Sequence, residues 1–181
     1  MGSLCIYGGN IQDTQQLSAL MTQIRQASPN AILALDEEGG DVTRLHYRDG
    51  SNQPGNAVLG RLDDPQLTRA IARAIAREMR AYGFKLNLAP DADVNTNAQN
   101  PVIGARSFGI SPRKVAMHTA AFTVGLQGQW LPPAPSTSPG TATPQRTRTC
   151  RCRSSRWIPS PWPNANWPRS PRRSRPASPP S

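Results

Sequence analysis

The stretch Leu33-Ala34-Leu35-Asp36-Glu37-Glu38-Gly39-Gly40-Asp41-Val42-Thr43-Arg44-Leu45 decides how the chain is read. It closes an apolar run, Ala31 to Leu35, of the length of a buried strand. Three consecutive acids, two glycines and then a basic residue follow directly. A buried strand that opens into a charged, glycine-containing loop suits the carboxyl end of a parallel sheet strand, where α/β folds gather their ligand-binding groups.

The flanking sequence repeats this plan. Leu4 to Tyr7 is a short apolar strand closed by Gly8 and Gly9. Asp13 then caps a helix, with Gln16 at capping-box spacing and an apolar stripe at Leu17, Leu20, Met21 and Ile24 that Pro29 ends. After the acidic segment and a long loop, Asp64 with Pro65 at the first helical position opens a second helix, whose inward face is Leu67, Ile71, Ala74, Ile75 and Met79. Arg69, Arg73, Arg77 and Arg80 occupy its other side and read as a solvated face. Gly83 stops that helix, Phe84 to Leu88 makes a third strand, and Ser111-Pro112 starts a third helix with Val115, Thr119, Phe122 and Leu126 on one face. Strand and helix in alternation predict a parallel sheet with crossover helices.

Composition then changes abruptly. Residues 1–129 hold 12 Lys or Arg against 11 acids, whereas residues 130–181 hold 9 Arg, no acid, and 13 of the 19 prolines. We place a boundary at Gln129/Trp130, with an α/β domain before it and a Pro/Arg/Ser-rich tail after it that has too few aliphatic residues to fold alone. No run of 18 apolar residues occurs and no signal-peptide pattern opens the chain, which predicts a soluble, cytoplasmic protein. Cys5 reads as a buried thiol, and Cys150-x-Cys152 is too short for a zinc set.

The chemistry-bearing residues lie in two loops, the one after the second strand and Asp91 to Gly109 after the third. Adjacent residues of an extended chain point in opposite directions, so Asp36, Glu37 and Glu38 cannot all face one ligand. No metal-ligand spacing, phosphate-binding loop or nucleophile elbow is present, and His46 and His118 stand alone. Asp36 with Arg44 and Arg106 suits a neutral polyhydroxylated ligand, which needs acceptors and forked donors at fixed positions. The same residues fit structural duties as well: a turn cap for Asp36, and ion-paired loop supports for the arginines.

Two long motifs, LALDEEGGDVTRL and NLAPDADVNTNAQNPVIGARSFG, resemble the family 3 glycoside hydrolases, and among them the bacterial β-N-acetylhexosaminidases of peptidoglycan recycling. The resemblance spans about Leu4 to Gln129 and implies an incomplete (β/α)8 TIM barrel of about three βα units, without the family's first strand and helix. By motif position, Asp36 matches the acceptor for sugar hydroxyls, and Arg44 and Arg106 match the two arginines that contact a terminal N-acetylglucosamine. The resemblance further implies a retaining mechanism with an Asp nucleophile and a His acid/base backed by an Asp, and no metal or cofactor. No residue of this chain matches that catalytic set.

Where the family continues with Lys-His-Phe-Pro-Gly-His-Gly-Asp-Thr, this chain has a proline-rich segment. Back-translating Pro135 to Thr149 and reading each codon from the third base of one residue and the first two of the next can give Ala-Lys-His-Phe-Pro-Gly-His-Gly-Asp-Thr-Ala-Thr-Asp-Ser-His. The expectation is therefore a coding frame shifted near Gln129, an out-of-frame tail and an inactive enzyme. Two rival readings stand beside it. One is a non-catalytic sugar-binding remnant; the other is non-specific nucleic-acid binding through the arginines and tryptophans of the tail.

Overall fold

The structure, a computed structural model, describes residues 2–137. Three short strands pair in parallel in the order β1 (Ser3–Cys5), β2 (Ile32–Leu35), β3 (Leu86–Asn87). Ser3 lies opposite Ile32, and Leu35 opposite Asn87. Hydrogen bonds from Ile6 N to Ala34 O, Lys85 N to Leu33 O and Leu88 N to Leu35 O extend the pairing past the regular ladder. The expected parallel α/β arrangement is present, with strands shorter than the apolar runs suggest.

Helix α1 (Thr14–Ala27) follows β1, α2 (Asn56–Leu62) and α3 (Pro65–Tyr82) follow β2, and α4 (Pro112–Gln127) follows β3. Asp13 caps α1 through its side chain, which accepts the Gln16 N–H at 2.7 Å. The return bond of the expected capping box goes elsewhere: Gln16 Oε1 accepts from Gln12 N, and Gln16 Nε2 donates to Asn10 O. Asp64 caps α3 by accepting from Gln66 N and Leu67 N, and Gly83 closes it at φ 91°, a left-handed conformation that favours glycine.

The buried face of α3 is Thr68, Ala72, Ile75, Ala76 and Met79. It is rotated from the expected stripe, because small residues let α4 come close. A Cβ at Gly125 of α4 would stand 2.5 Å from the carbonyl oxygen of Arg69. The four arginines of α3 are exposed, as a solvated face requires. Helix α2 was not expected; its cap, Gly55, offers no side-chain acceptor, and Gly60 interrupts its middle, where a Cβ would collide with the Phe108 carbonyl.

Leu17, Met21, Leu33, Leu35, Ile75, Met79, Phe122 and Leu126 form one apolar core with Phe84 and Phe108. His118, fully buried, stacks on Phe108 with centroids 5.2 Å apart and bonds Thr68 Oγ1 at 2.8 Å and Asp63 at 3.3 Å, so it ties α4 to the start of α3. Cys5 is half-buried rather than enclosed, because β1 is an edge strand.

Packing does not stop at the compositional step. Leu131, beyond Gln129/Trp130, is fully buried in the same core. The segment Leu131–Ser136 then runs parallel to β3, with bridges Asn87 to Pro133 and Asp91 to Ser136. Ala134 N donates to Asn87 O at 2.8 Å and Ser136 N to Pro90 O at 3.1 Å. These residues alternate with Pro133 and Pro135, so the missing proline N–H groups fall on the side away from β3, where prolines are tolerated in sheets. The expected disorder of the tail concerns residues that, beyond 137, lie outside those described.

Candidate functional site

Asp36 to Glu38 leave the carboxyl end of β2 as extended chain and alternate in direction, as their adjacency requires. Glu37 turns one way. Its backbone exchanges two hydrogen bonds with the buried side chain of Asn87 on β3, and its carboxylate accepts the N–H groups of Arg44 at 3.0 Å and Leu45 at 3.1 Å. Burial raises the Glu37 carboxyl above its ordinary value, and the Thr43 hydroxyl and the two backbone donors oppose that. Glu37 is thus a fastener for the loop that carries Arg44.

Asp36 and Glu38 each hold an arginine. Arg44 donates from Nε at 3.2 Å and Nη2 at 3.0 Å, both to Asp36 Oδ2. Arg106, in a 3-10 turn at Gly104–Arg106, lays its fork on Glu38, with Nη2 to Oε1 at 2.6 Å and Nε to both oxygens at 3.2 Å. Burial raises the Glu38 carboxyl despite this partner, while the Glu38 bond raises Arg106 and keeps it charged. About a quarter of the side-chain surface of Asp36, Arg44 and Arg106 faces solvent, against 3% for Glu38.

The turn between the two pairs is tight. Gly39 and Gly40 have φ of 83° and 58°, and a Cβ on either would stand under 3 Å from the backbone of Pro54 or Gly55. That close approach brings Asn56 beneath Arg106, whose carbonyl accepts from Asn56 Nδ2 at 2.7 Å. A cavity of about 120 Å³ lies alongside, lined by Glu38, Val42, Asn56, Ala57, Arg61 and Arg106.

Asp91 follows β3. It is buried, its Oδ1 accepts the Asp93 N–H at 3.1 Å, and Oδ2 has no partner. Its pKa is pushed up to about 6, first by burial and further by the charges of Asp93 and Glu38, against the pull of the Asp93 N–H and Arg106.

The structure brings all three sequence-derived residues, Asp36, Arg44 and Arg106, to the carboxyl ends of adjacent parallel strands, but as parts of two ion pairs. Of the residues that fix them, Glu37 and Glu38 belong to the acidic cluster but were given no supporting role in the sequence reading, and Asn87 was not singled out. A polar Asn87 inside the apolar run Phe84 to Leu88 was the available signal for one of them. His46 bonds Glu78 of α3 at 2.7 Å, and His118 serves the helical packing. No described group of three or more His, Cys, Asp or Glu residues could hold a metal ion. No described helix is long and apolar enough to cross a membrane.

Two carboxylate-arginine pairs at the carboxyl ends of parallel strands stand where α/β domains gather their ligand-binding groups. The model of the glycosyl hydrolase family 3 N terminal domain matches residues 1–142, and the chain belongs to that family. Beta-hexosaminidase A of Pseudoalteromonas piscicida is 32% identical over 124 residues, 64% of this chain and 21% of that protein. Beta-hexosaminidase LpqI of Mycobacterium tuberculosis is 35% identical over 108 residues, 60% of this chain and 28% of that one. The chain therefore spans between a fifth and a third of the length of these two relatives. A family 3 beta-N-acetylglucosaminidase from Paenibacillus superposes with a TM-score of 0.66 at 33% identity, over 71% of this chain and 25% of that chain. NagZ of Neisseria gonorrhoeae, solved with N-trifluoroacetyl-D-glucosamine, gives 0.63 at 30% identity over 71% and 40%. None of these relatives lends support to nucleic-acid binding, and most of the tail on which that reading rests lies outside the described residues.

Proposed function

We propose that this chain carries the sugar-recognition part of a β-N-acetylhexosaminidase, built on about three βα units of a (β/α)8 barrel, and that it does not hydrolyse its ligand unaided. The paired array Asp36–Arg44 and Glu38–Arg106 carries this reading. It offers carboxylate acceptors and forked N–H donors at fixed positions on one sheet end, a pattern suited to neighbouring hydroxyls of a terminal N-acetylglucosamine. The names of the relatives favour that substrate class. Peptidoglycan fragments in the cytoplasm are the source we propose for it.

The reaction would be a retaining hydrolysis, which needs a nucleophilic carboxylate and an acid/base placed on either side of the glycosidic bond. The chain has two histidines; one is enclosed by Thr68, Asp63 and Phe108, and the other is bonded to Glu78. Neither suits the acid/base role, and the segment that would supply it is the one hidden in the shifted frame. Hydrolysis of an aryl N-acetyl-β-glucosaminide tests the proposal on this chain and on a chain with the frame restored near Gln129. Activity in the restored chain alone supports it. Turnover by the present chain, or none by a folded restored chain, refutes it.

A further inference from the structure

Between β2 and α2 the chain runs from Asp36 to Gly55 without a helix or strand, and Arg44 lies near the middle of that stretch. A loop of this length holds a side chain still only where it is fastened. The Asp36–Arg44 pair does not fasten it alone, since both arginine donors converge on one oxygen and the pair is partly exposed. On the inner side Glu37, gripped by Asn87 of β3, accepts the N–H groups of Arg44 and Leu45, and Leu45 packs on the core.

The outer side has one fastening. Among the described residues, the hydrogen bonds of Thr43, Arg44 and Leu45 end inside the loop, on Asp36, Glu37 or His46. His46 leaves it: its Nε2 meets Oε1 of Glu78 on α3 at 2.7 Å, a bond across 32 positions, with both side chains partly buried. Glu78 is the single acid of α3, and its neighbours three and four positions away, Ala74, Ile75, Ala81 and Tyr82, carry no charge. No arginine of its own helix competes at that spacing, so the carboxylate is free for His46. Beyond His46 the residues Tyr47 to Gly50 are exposed, and the bond stands where the anchored part of the loop gives way to a free turn.

We propose that His46 and Glu78 form a brace that positions the Arg44 guanidinium for saccharide recognition. Arg44 is then held from both sides, by Glu37 toward the sheet and by His46 toward α3, and the direction of its fork follows from the two together. His46 and Glu78 are positioning residues in this scheme: they act through Arg44 and touch no ligand. The proposal rests on the reading of Arg44 as a sugar contact and carries the recognition machinery outward to a helix that the motif around Asp36 does not include.

The test uses the full chain with His46→Phe, which keeps a ring and loses the bond, Glu78→Leu, which breaks it from the other side, and His46→Gln, whose amide nitrogen can replace Nε2. Nitrogen NMR follows solvent exchange of the Arg44 Nε–H, with the Leu126 amide of the α3–α4 core as reference. A second titration measures affinity for methyl N-acetyl-β-glucosaminide. In His46→Phe and Glu78→Leu the Arg44 Nε–H exchanges faster and the glycoside binds more weakly, each by roughly tenfold or more, the effect of losing one hydrogen bond to a charged group. Leu126 is unchanged, the double variant is no worse than either single one, and His46→Gln stays near the parent. Unchanged Arg44 exchange in both single variants overturns the brace. So does an equal rise at Leu126, or loss of folding in both, since the bond then serves stability alone. A parent that binds no glycoside while the variants loosen Arg44 refutes the proposed function and leaves the brace standing. A parent that binds, with variants that loosen Arg44 and bind equally well, does the reverse.

Discussion

Asn87 grips Glu37 with both ends of its amide. Oδ1 accepts the Glu37 N–H at 3.0 Å and Nδ2 donates to the Glu37 carbonyl at 2.9 Å, so a buried side chain of β3 supplies what a further rung of ladder would supply. The acidic segment can then depart from the sheet without orphaning its backbone.

Asn87→Ala removes both bonds and leaves two buried backbone groups unpaired, which costs about 1–3 kcal/mol for each group. The urea midpoint falls accordingly. Asn87→Asp keeps an acceptor but loses the donor, and adds a buried charge beside Glu37. It is as damaging or worse at pH 7, and the difference between the two variants narrows in acid.

Asp91 gives stability an uncommon pH dependence. Its folded pKa, about 6, lies above the unfolded value near 4, so the folded state holds the proton more tightly. The contribution is full below about pH 4 and is lost as pH rises through about 6. A displacement of about two pH units amounts to about 3 kcal/mol. Burial gives Glu37 and Glu38 the same sign. Asp91→Asn, which stays neutral, raises the urea midpoint at pH 8 and changes it little at pH 4.

Asp63 works in the opposite sense. The His118 bond holds its carboxyl below the ordinary value, with Lys114 assisting, so its stabilisation is present above the unfolded pKa and is lost as pH falls through the folded one. Asn also tolerates the left-handed backbone at this position, φ 53°. Asp63→Asn is therefore less stable than the parent at pH 7, and the two unfolding curves converge well below pH 4.

Arg106→Lys keeps the charge and loses the fork that meets both Glu38 oxygens. In a frame-restored chain we expect a rise in KM for the aryl glycoside by roughly tenfold or more, the effect of about 1.4 kcal/mol of lost binding. Unfolding of Arg106→Lys, compared with the parent, separates this loss from a collapse of the loop.

Gly125→Ala forces a methyl group to within 2.5 Å of the Arg69 carbonyl and 2.6 Å of Ala72 Cβ. Helices α3 and α4 must separate, at a cost of about 1–3 kcal/mol, the range for overpacked cores. Thermal unfolding measures it.

The elements with strong local chemistry were legible in sequence: Asp13 and Asp64 announce α1 and α3, and the strand-helix alternation gives the parallel sheet. Helix α2 was hidden because it begins on Gly55 and survives by tertiary contact, with Gly60 against Phe108. The inward face of α3 was misjudged because Thr68, Ala72 and Ala76 are buried for being small, a property that apolar periodicity does not weigh. At the site, the motif located Asp36, Arg44 and Arg106, but pairing depends on distances across loops. Nothing in the order of residues tells that Glu38, 68 positions from Arg106, is its partner. The compositional step at Gln129/Trp130 hid the last packed segment, because backbone hydrogen bonding asks only for N–H groups at Ala134 and Ser136 and one apolar side chain at Leu131.

The alternation of proline with those donors has a consequence for assembly. A strand laid along the outer side of Leu131–Ser136 would meet Pro133 and Pro135, carbonyls with no N–H to return. Half of each new rung would be absent, so growth by strand addition terminates on that flank, as a crystal face stops growing once its surface is poisoned. Among the described residues, β1, whose Ser3, Leu4 and Cys5 all carry an N–H, is then the flank of the sheet better suited to strand addition.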